Sequence, residues 1–373
     1  MRVLRARFVR DDVRVAVVPW VVARTLVVGA LLIARHVFDE VGRGARPIQL
    51  TQGLFAWDGA YYREIAEHGY GGLPTEALRF FPLVPLAARG LGAVLLGHDA
   101  LALLLIANLS ALAFGALLHR LTMQETGNAE AAARAAWFAA LFPAASALVM
   151  GYADATALAL AVGVFLALRS DRFVLAGALG VAAGMTRPLG ILLVIPALVE
   201  VLRARHGVTI GGWVRRGAAV AGPALGLGAY LAWVGVARDD PWLPFSVQQR
   251  PHLRGDFVDP VSRLVDAARD LFGGDRFGSG LHLVWALAFL ALLVVVARRL
   301  PVSYTAFTAI TLIVGLSAEN LDSFERYAVG AFPLLVGLAL VTGRRPVERL
   351  ALTLAAGGLV GYAVLAFFGV SVP

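Results

Sequence analysis

The sequence predicts an all-α polytopic membrane protein, and three observations carry that prediction. Of its 373 residues, 59% are hydrophobic and 16% charged, against roughly 45–50% and about 25% in soluble domains. The mean hydropathy is +0.75. Apolar runs recur along the whole length instead of forming one block, so residues 1–373 read as a single transmembrane domain and not as a series of soluble domains.

The N-terminus carries Arg2, Arg5, Arg7, Arg10 and Arg14 ahead of an apolar stretch that is too long for a signal-peptide core. It is expected to be an uncleaved first span, at 14–35, with a cytoplasmic N-terminus. Further spans are expected at 100–118, 135–151, 155–169, 173–186, 188–203, 217–237, 281–297, 301–318, 327–342 and 350–370. One more apolar run, 80–96, is interrupted by Pro82, Pro85, Arg89, Gly90 and Gly92, and it decides the parity of everything that follows. When it is re-entrant or interfacial, the short arginine-bearing connections fall in the cytoplasm: Arg120 with Arg134, Arg169 with Arg172, Arg203 to Arg216, Arg298 with Arg299, and Arg344 to Arg349. The expected architecture therefore has about eleven spans, with the C-terminus outside.

This threading leaves two long loops on the extracytoplasmic side, 36–99 and 238–280. In the second, Val261, Leu264, Val265, Ala268, Leu271 and Phe272 recur at helical spacing with charges opposite, the pattern of a helix lying in the membrane interface. No internal repeat is visible, including the inverted repeat of many secondary transporters. The net charge of +8 comes entirely from arginine, because the chain contains no lysine. These arginines sit between apolar runs and not on a basic stripe, which points to anionic lipid and excludes nucleic acid as a partner. The chain has no cysteine, so there is no disulfide framework, thiolate metal site or cysteine nucleophile.

Chemistry-bearing residues concentrate in the first long loop, in WDGAYYREIAEHGYGG from Trp57 to Gly72 and RFFPLVPL from Arg79 to Leu86. One reading is an interfacial helix with aromatics at headgroup level and Asp58 as its N-terminal cap. The other is a carboxylate among aromatic rings that stack on sugar faces, as glycosyl transfer to a hydroxyl requires: a base takes the acceptor proton as the leaving group departs from the anomeric carbon. A capped helix can present a catalytic carboxylate, so the two are compatible. Asp58 is the candidate base, and Trp57, Tyr61 and Tyr62 are the candidate sugar-binding surfaces.

Trp57 to Tyr70 followed by Phe80-Phe81-Pro82-Leu83 resembles the first luminal loop of the PIG-V-like mannosyltransferases (GPI mannosyltransferase 2), members of the GT-C glycosyltransferase superfamily. The similarity continues in LFPAASALVMGYADATALAL from Leu141, GMTRPLGILLVIP from Gly184, the Asp-Pro at Asp240, and SFERYAVGAFPLL from Ser323. The resemblance implies a GT-C-like bundle that takes mannose from a polyprenyl- or dolichyl-phosphate carrier on the extracytoplasmic or luminal side, inverts the anomeric centre, and uses an acidic residue of the first loop as base, here Asp58. The chain is expected to be an integral protein of a bacterial plasma membrane, with a glycan or glycolipid as acceptor. Tyr152 and Asp154 fall in the third matching segment, where the family usually carries Glu in place of Asp154.

Arg187, in Thr186-Arg187-Pro188, is costly at membrane depth unless paired. It is either a snorkelling or ion-paired residue, with Asp154 or Asp322, or the guanidinium that binds the carrier phosphate. Arg326 is the second phosphate candidate, its alternative being a helix-end anchor. Arg24, within the first span, is expected to snorkel to the cytoplasmic face. His68 is either an acceptor-side group or a solvated helix-end residue. Asp239, Asp240, Asp256 and Asp259 lack a ligand spacing, so no metal and no cofactor are expected beyond the lipid-linked co-substrate. The competing classes are a transporter or lipid flippase, and a non-catalytic subunit acting with a membrane partner.

Overall fold

The computed structural model describes residues 2–203, 208–251, 253–273 and 279–370, and among these the one β feature is an antiparallel bridge between Phe257 and Ala318. In chain order the helices are α1 (Arg2–Val41), α2 (Ile48–Gln52), α3 (Asp58–His68), α4 (Leu83–Val94), α5 (Asp99–Thr126), α6 (Ala129–Leu141) and α7 (Asp154–Arg169). There follow α8 (Phe173–Gly184), α9 (Val194–Arg203), α10 (Ile210–Arg238), α11 (Leu243–Gln248), α12 (Pro260–Phe272) and α13 (Ser279–Arg299). The last are α14 (Val302–Leu316), α15 (Phe324–Val329), α16 (Pro333–Val341) and α17 (Arg345–Phe367).

The chain is an all-α polytopic membrane protein. Among the described residues five helices are long and apolar enough to cross a bilayer: Arg10–Val41, Asp99–Thr126, Ile210–Arg238, Gly280–Arg299 and Arg345–Phe367. The other expected spans fold as shorter helices, several of them joined to tight 3-10 turns such as Pro143–Leu148 and Pro188–Leu193. Proline is the cause, since it cannot donate to the preceding turn and pushes the residue before it out of helical geometry. The 80–96 run contributes α4, whose 12 residues extend about 18 Å, well short of a ~30 Å hydrocarbon core.

The chain divides into two compact units. The first comprises the residues up to Gly69, Val84–Val162, and those from Leu338 on. Its α1 packs on α5, α6 and α17, and α17 also covers the Pro143–Leu148 turn. Gly358 of α17 lets Pro143 come close, since a Cβ there would lie 2.7 Å from the proline ring. Arg134 of α6 is buried and donates to the Ala339 carbonyl at 2.9 Å.

The second unit comprises Tyr70–Leu83 and Gly163–Gly337. Its seam is the α8–α10 crossing, where Gly177 and Gly184 of α8 meet the α10 backbone, while Gly222 and Gly226 of α10 meet the α8 backbone. The backbones themselves touch, as small-residue membrane interfaces allow. Phe165, Tyr304 and Phe332 form an aromatic core, with Phe165 edge-on to Phe332 at 5.0 Å. Glu200 of α9 is buried and accepts from the Ser303 hydroxyl at 2.6 Å, with Arg169 and Arg203 each at 3.3 Å. Helix α12 displays Val261, Val265 and Phe272 outward and buries Arg263 and Ala267. Its N-cap is Asp259, whose carboxyl accepts from the Ser262 amide at 2.8 Å and is thereby held below its ordinary value.

Candidate active site

In the first unit the residues singled out in the sequence assemble at the head of α3. Asp58 is the first residue of that helix, half-buried, and the residue at the capping position is Trp57. Trp57 has φ 58 and ψ −123, a conformation in which a bulky side chain is a genuine outlier. Strain of this kind, about 1–3 kcal/mol, persists only where the surroundings over-determine it. Here the indole N–H of Trp57 donates to the Ala366 carbonyl of α17 at 2.9 Å. The preceding turn is clamped by the segment between the Pro143–Leu148 turn and α7. The amide of Gly151 donates to the Leu54 carbonyl at 2.9 Å, and the hydroxyl of Tyr152 donates to the Ala56 carbonyl at 3.1 Å.

Tyr152 is fully buried, and Asp154, also buried, starts α7 two residues later. Gly59 lies flat against the Tyr152 ring, for a Cβ there would sit 3.2 Å from Cε1. Tyr61 is half-buried, whereas Tyr62 points into the core with 4% exposure and has little surface to offer a sugar. His68 is exposed at the end of α3 and lies 3.3 Å from Glu64.

In the second unit Arg187 and Arg326 meet around one aromatic ring. The guanidinium carbon of Arg187 lies 5.4 Å from the centroid of Tyr327, and that of Arg326 lies 5.3 Å away. A third guanidinium, that of Arg254, is closer still at 4.4 Å. Each is within cation–π range. Arg187 precedes the Pro188–Leu193 turn, and Arg326 is buried in α15, which follows Ser323 at φ 61.

Backbone pairing delivers Arg254. The Phe257–Ala318 bridge is flanked by bonds from the Val258 amide to the Ser317 carbonyl, from Glu319 to Asp256, and from Asn320 to Arg254. The Arg254 side chain donates to the Gly315 carbonyl at 3.0 Å. Sequence reasoning passed over this residue. Its only trace there is a pair of arginines, Arg250 and Arg254, in the second long loop, with Gly255 after them at φ +67.

The structure thus gathers Trp57, Asp58, Tyr152 and Asp154 in one unit, and Arg187 with Arg326 in the other. Arg24 departs from its expected place. It does not snorkel to an edge of α1 but is held inside the first unit, donating to Asn108 Oδ1 and to the Leu148 carbonyl, each at 2.9 Å. Among the described residues no three His, Asp or Glu side chains converge as a metal site.

No protein-family model matches the sequence, and no curated protein matches it. Solved structures do. The chain is similar to ArnT from Cupriavidus metallidurans bound to undecaprenyl phosphate, with a TM-score of 0.54 and 14% identity over 97% of this chain and 76% of that one. The apo form of the same protein gives 0.49 with 17% identity, over 83% and 70%. The archaeal oligosaccharyltransferase AglB from Archaeoglobus fulgidus, in complex with an inhibitory peptide and a dolichol-phosphate, gives 0.47 with 13% identity, over 96% of this chain and 55% of that one. At these identities the likeness is one of fold alone, and the ArnT complex carries it: this chain shares the helical bundle of that protein.

Proposed function

We propose that this chain is an inverting glycosyltransferase that moves mannose from a polyprenyl-phosphate-mannose donor to an acceptor hydroxyl on the extracytoplasmic side of a membrane. The observation that carries the reading is the fold shared with ArnT, a protein solved with undecaprenyl phosphate bound. The reaction requires a base and a cationic clamp, and this reading takes the first from one unit and the second from the other. Asp58 takes the proton of the acceptor hydroxyl as the acceptor oxygen bonds to the anomeric carbon. The bond from that carbon to the phosphate oxygen breaks, and the electron pair leaves with the polyprenyl phosphate, whose charge rises from one to two. Guanidiniums of Arg187, Arg254 and Arg326 neutralise that developing charge, a task in which preorganised cations are worth most. Polyprenyl phosphate needs no proton to leave near neutral pH, so one base suffices and no metal is required.

Trp57 and Tyr61 orient the sugars, and His68 and Asp154 act on the acceptor side. The choice of mannose rests on the resemblance of the first loop, Trp57 to Tyr70 with Phe80 to Leu83, to the PIG-V-like enzymes. A glycan or glycolipid is the acceptor in this reading.

The test is to incubate membranes containing wild-type or Asp58→Asn protein with polyprenyl-phosphate mannose labelled in the sugar. Wild type is expected to pass label to a new product, and Asp58→Asn to do so about 10²–10⁴-fold more slowly, the usual value of general-base assistance. An Asn variant that keeps most of its turnover moves the base elsewhere. Transfer of a different sugar, with mannose refused, replaces the donor and leaves the chemistry.

A further inference from the structure

The arginine inside the first span has a connected path to the head of α3. Arg24 sits mid-helix and is desolvated by burial. Its partners are neutral: Asn108 Oδ1, the carbonyls of Leu148 and Trp20, and the face of the Trp20 ring at 4.6 Å. Among the described residues no carboxylate pairs with it. A desolvated guanidinium held only by neutral acceptors stabilises little compared with an apolar side chain of the same volume. What it does achieve is placement, because its planar fork fixes two acceptors at once.

Those acceptors lead to the candidate base. Arg24 holds the Leu148 carbonyl through one fork nitrogen and Asn108 through another. Asn108 in turn donates its side-chain amide to the carbonyls of Val149 at 3.1 Å and Leu104 at 2.8 Å, and its backbone carbonyl accepts from the Trp20 indole at 2.8 Å. Two consecutive carbonyls of the buried Leu148–Tyr152 segment are thereby pinned to α1 and α5. Two residues further on, Gly151 and Tyr152 pin the same segment to the carbonyls of Leu54 and Ala56, directly before the strained Trp57 and Asp58. We infer that Arg24 and Asn108 are positioning residues, which set where the Asp58 carboxylate stands by fixing the Leu148–Tyr152 segment on which its helix rests. In its kinetic part the inference rests on the reading of Asp58 as base.

A cavity of about 10 Å³ lined by Trp20, Arg24, Leu148 and small residues lies beside the guanidinium, room for about one water. Arg24→Lys therefore introduces no clash, keeps the charge, and loses the fork. Asn108→Ala removes the second hold alone.

The test uses the full chain, which contains no cysteine. One cysteine is placed at Ala56, fully buried under the α3 turn, and in a separate protein one at Ala131, equally buried but in α6. Labelling of each with a small maleimide is timed with and without Asn108→Ala and Arg24→Lys. The positioning role predicts labelling at residue 56 at least about tenfold faster in both variants, with residue 131 unchanged. Equal acceleration at both sites, or none at 56, overturns it, because a merely structural role loosens the whole unit.

Mannose transfer from labelled polyprenyl-phosphate mannose is then measured in the cysteine-free variants. Asn108→Ala is expected to lower kcat about 10–100-fold, since a misplacement near 1 Å is worth about 10², with donor KM unchanged. Tyr152→Phe lowers kcat as well, and the double variant is expected to lose less than the product of the two losses, as members of one relay do. Wild-type kcat in Asn108→Ala, beside an inactive Asp58→Asn, overturns the inference alone. An Asp58→Asn protein as active as wild type sinks the base assignment, and the labelling arm then decides on the placement by itself.

Discussion

Replacing Tyr327 by leucine removes the ring on which three guanidiniums converge without touching any of them. Their carbons lie 4.4, 5.3 and 5.4 Å from the ring centroid, so three like charges share one small volume. At an effective dielectric constant near 20, two unit charges ~8 Å apart repel by about 2 kcal/mol. The ring face opposes that repulsion, at about 0.5–1 kcal/mol per cation in a half-exposed setting. Taking the nearest contact at the upper end and the other two at the lower, the ring contributes about 2 kcal/mol to holding the cluster. Tyr327→Leu should therefore raise the donor KM about 25-fold, at 1.4 kcal/mol per tenfold. Tyr327→Phe keeps the ring and should stay within about threefold of wild type. The assay is the initial rate of mannose transfer against polyprenyl-phosphate-mannose concentration in membranes of matched protein content. A leucine variant with wild-type KM would falsify the role given to the ring, and a phenylalanine variant as impaired as leucine would assign that role to the hydroxyl.

Gly59→Ala puts a Cβ 3.2 Å from a Tyr152 ring that is itself fully buried and hydrogen-bonded, so the head of α3 must yield by a few tenths of an ångström. An approximately tenfold fall in kcat is expected at nearly unchanged melting temperature, and an unaltered kcat would show that the spacing has slack. Glu200→Ala leaves the half-buried Arg169 and the buried Ser303 hydroxyl facing an empty site. Leaving the buried Ser303 hydroxyl without its acceptor costs about 1–3 kcal/mol, which thermal denaturation in detergent should register as a drop in Tm; an unchanged Tm would mean that the cluster is solvated. Asp259 carries a carboxyl lowered from 3.8 by the Ser262 amide. A lowered value means that the cap is fully present above 3.8 and is lost as the pH falls through the folded-state value. Amide protection along α12 should then fade only in acid, whereas in Asp259→Asn, a good cap that does not titrate, protection should show no such step.

The long helices were legible because about 20 consecutive apolar residues match the thickness of a bilayer, and the runs around 14–35, 100–118, 217–237, 281–297 and 350–370 all became α-helices of spanning length. The intermediate runs were harder. Their apolar content is the same, but Pro143, Pro188 and Pro333 cut them into pieces whose backbone ends must be satisfied by neighbours instead of by the helix itself. At the candidate site, the side chains with unusual chemistry could be named from the sequence, since Asp58, Arg187 and Arg326 stand out against an apolar background. Their partners could not. Arg254 reaches Tyr327 through backbone pairing with residues some sixty positions away, and such pairing has no local signature. Tyr61 and Tyr62 are adjacent letters, yet only the helix phase decides that one is half-exposed and the other in the core. Arg24 looked like a snorkelling residue because the acceptors that capture it, Asn108 and the Leu148 carbonyl at the end of the Pro143–Leu148 turn, lie far along the chain.

The α8–α10 seam bears on how this protein can change over time. Cores usually absorb substitutions by shuffling side chains into the space a neighbour vacates. Where Gly177, Gly184, Gly222 and Gly226 bring two backbones into contact, no side chains lie between them to shuffle, and a methyl group at any of the four has nowhere to go. The seam admits no graded variation. Arg187 follows directly from the end of α8, and Gly190, three residues on, presses against the α8 backbone in the same way. Its place is thus set by chain geometry that drift cannot adjust in small steps, while the loop that brings Arg254 is free to lengthen, shorten or change composition outside its few paired amides. One cation of the cluster is an inherited fixture and another is an adjustable one, and divergence among proteins built on this plan is expected to run through the second.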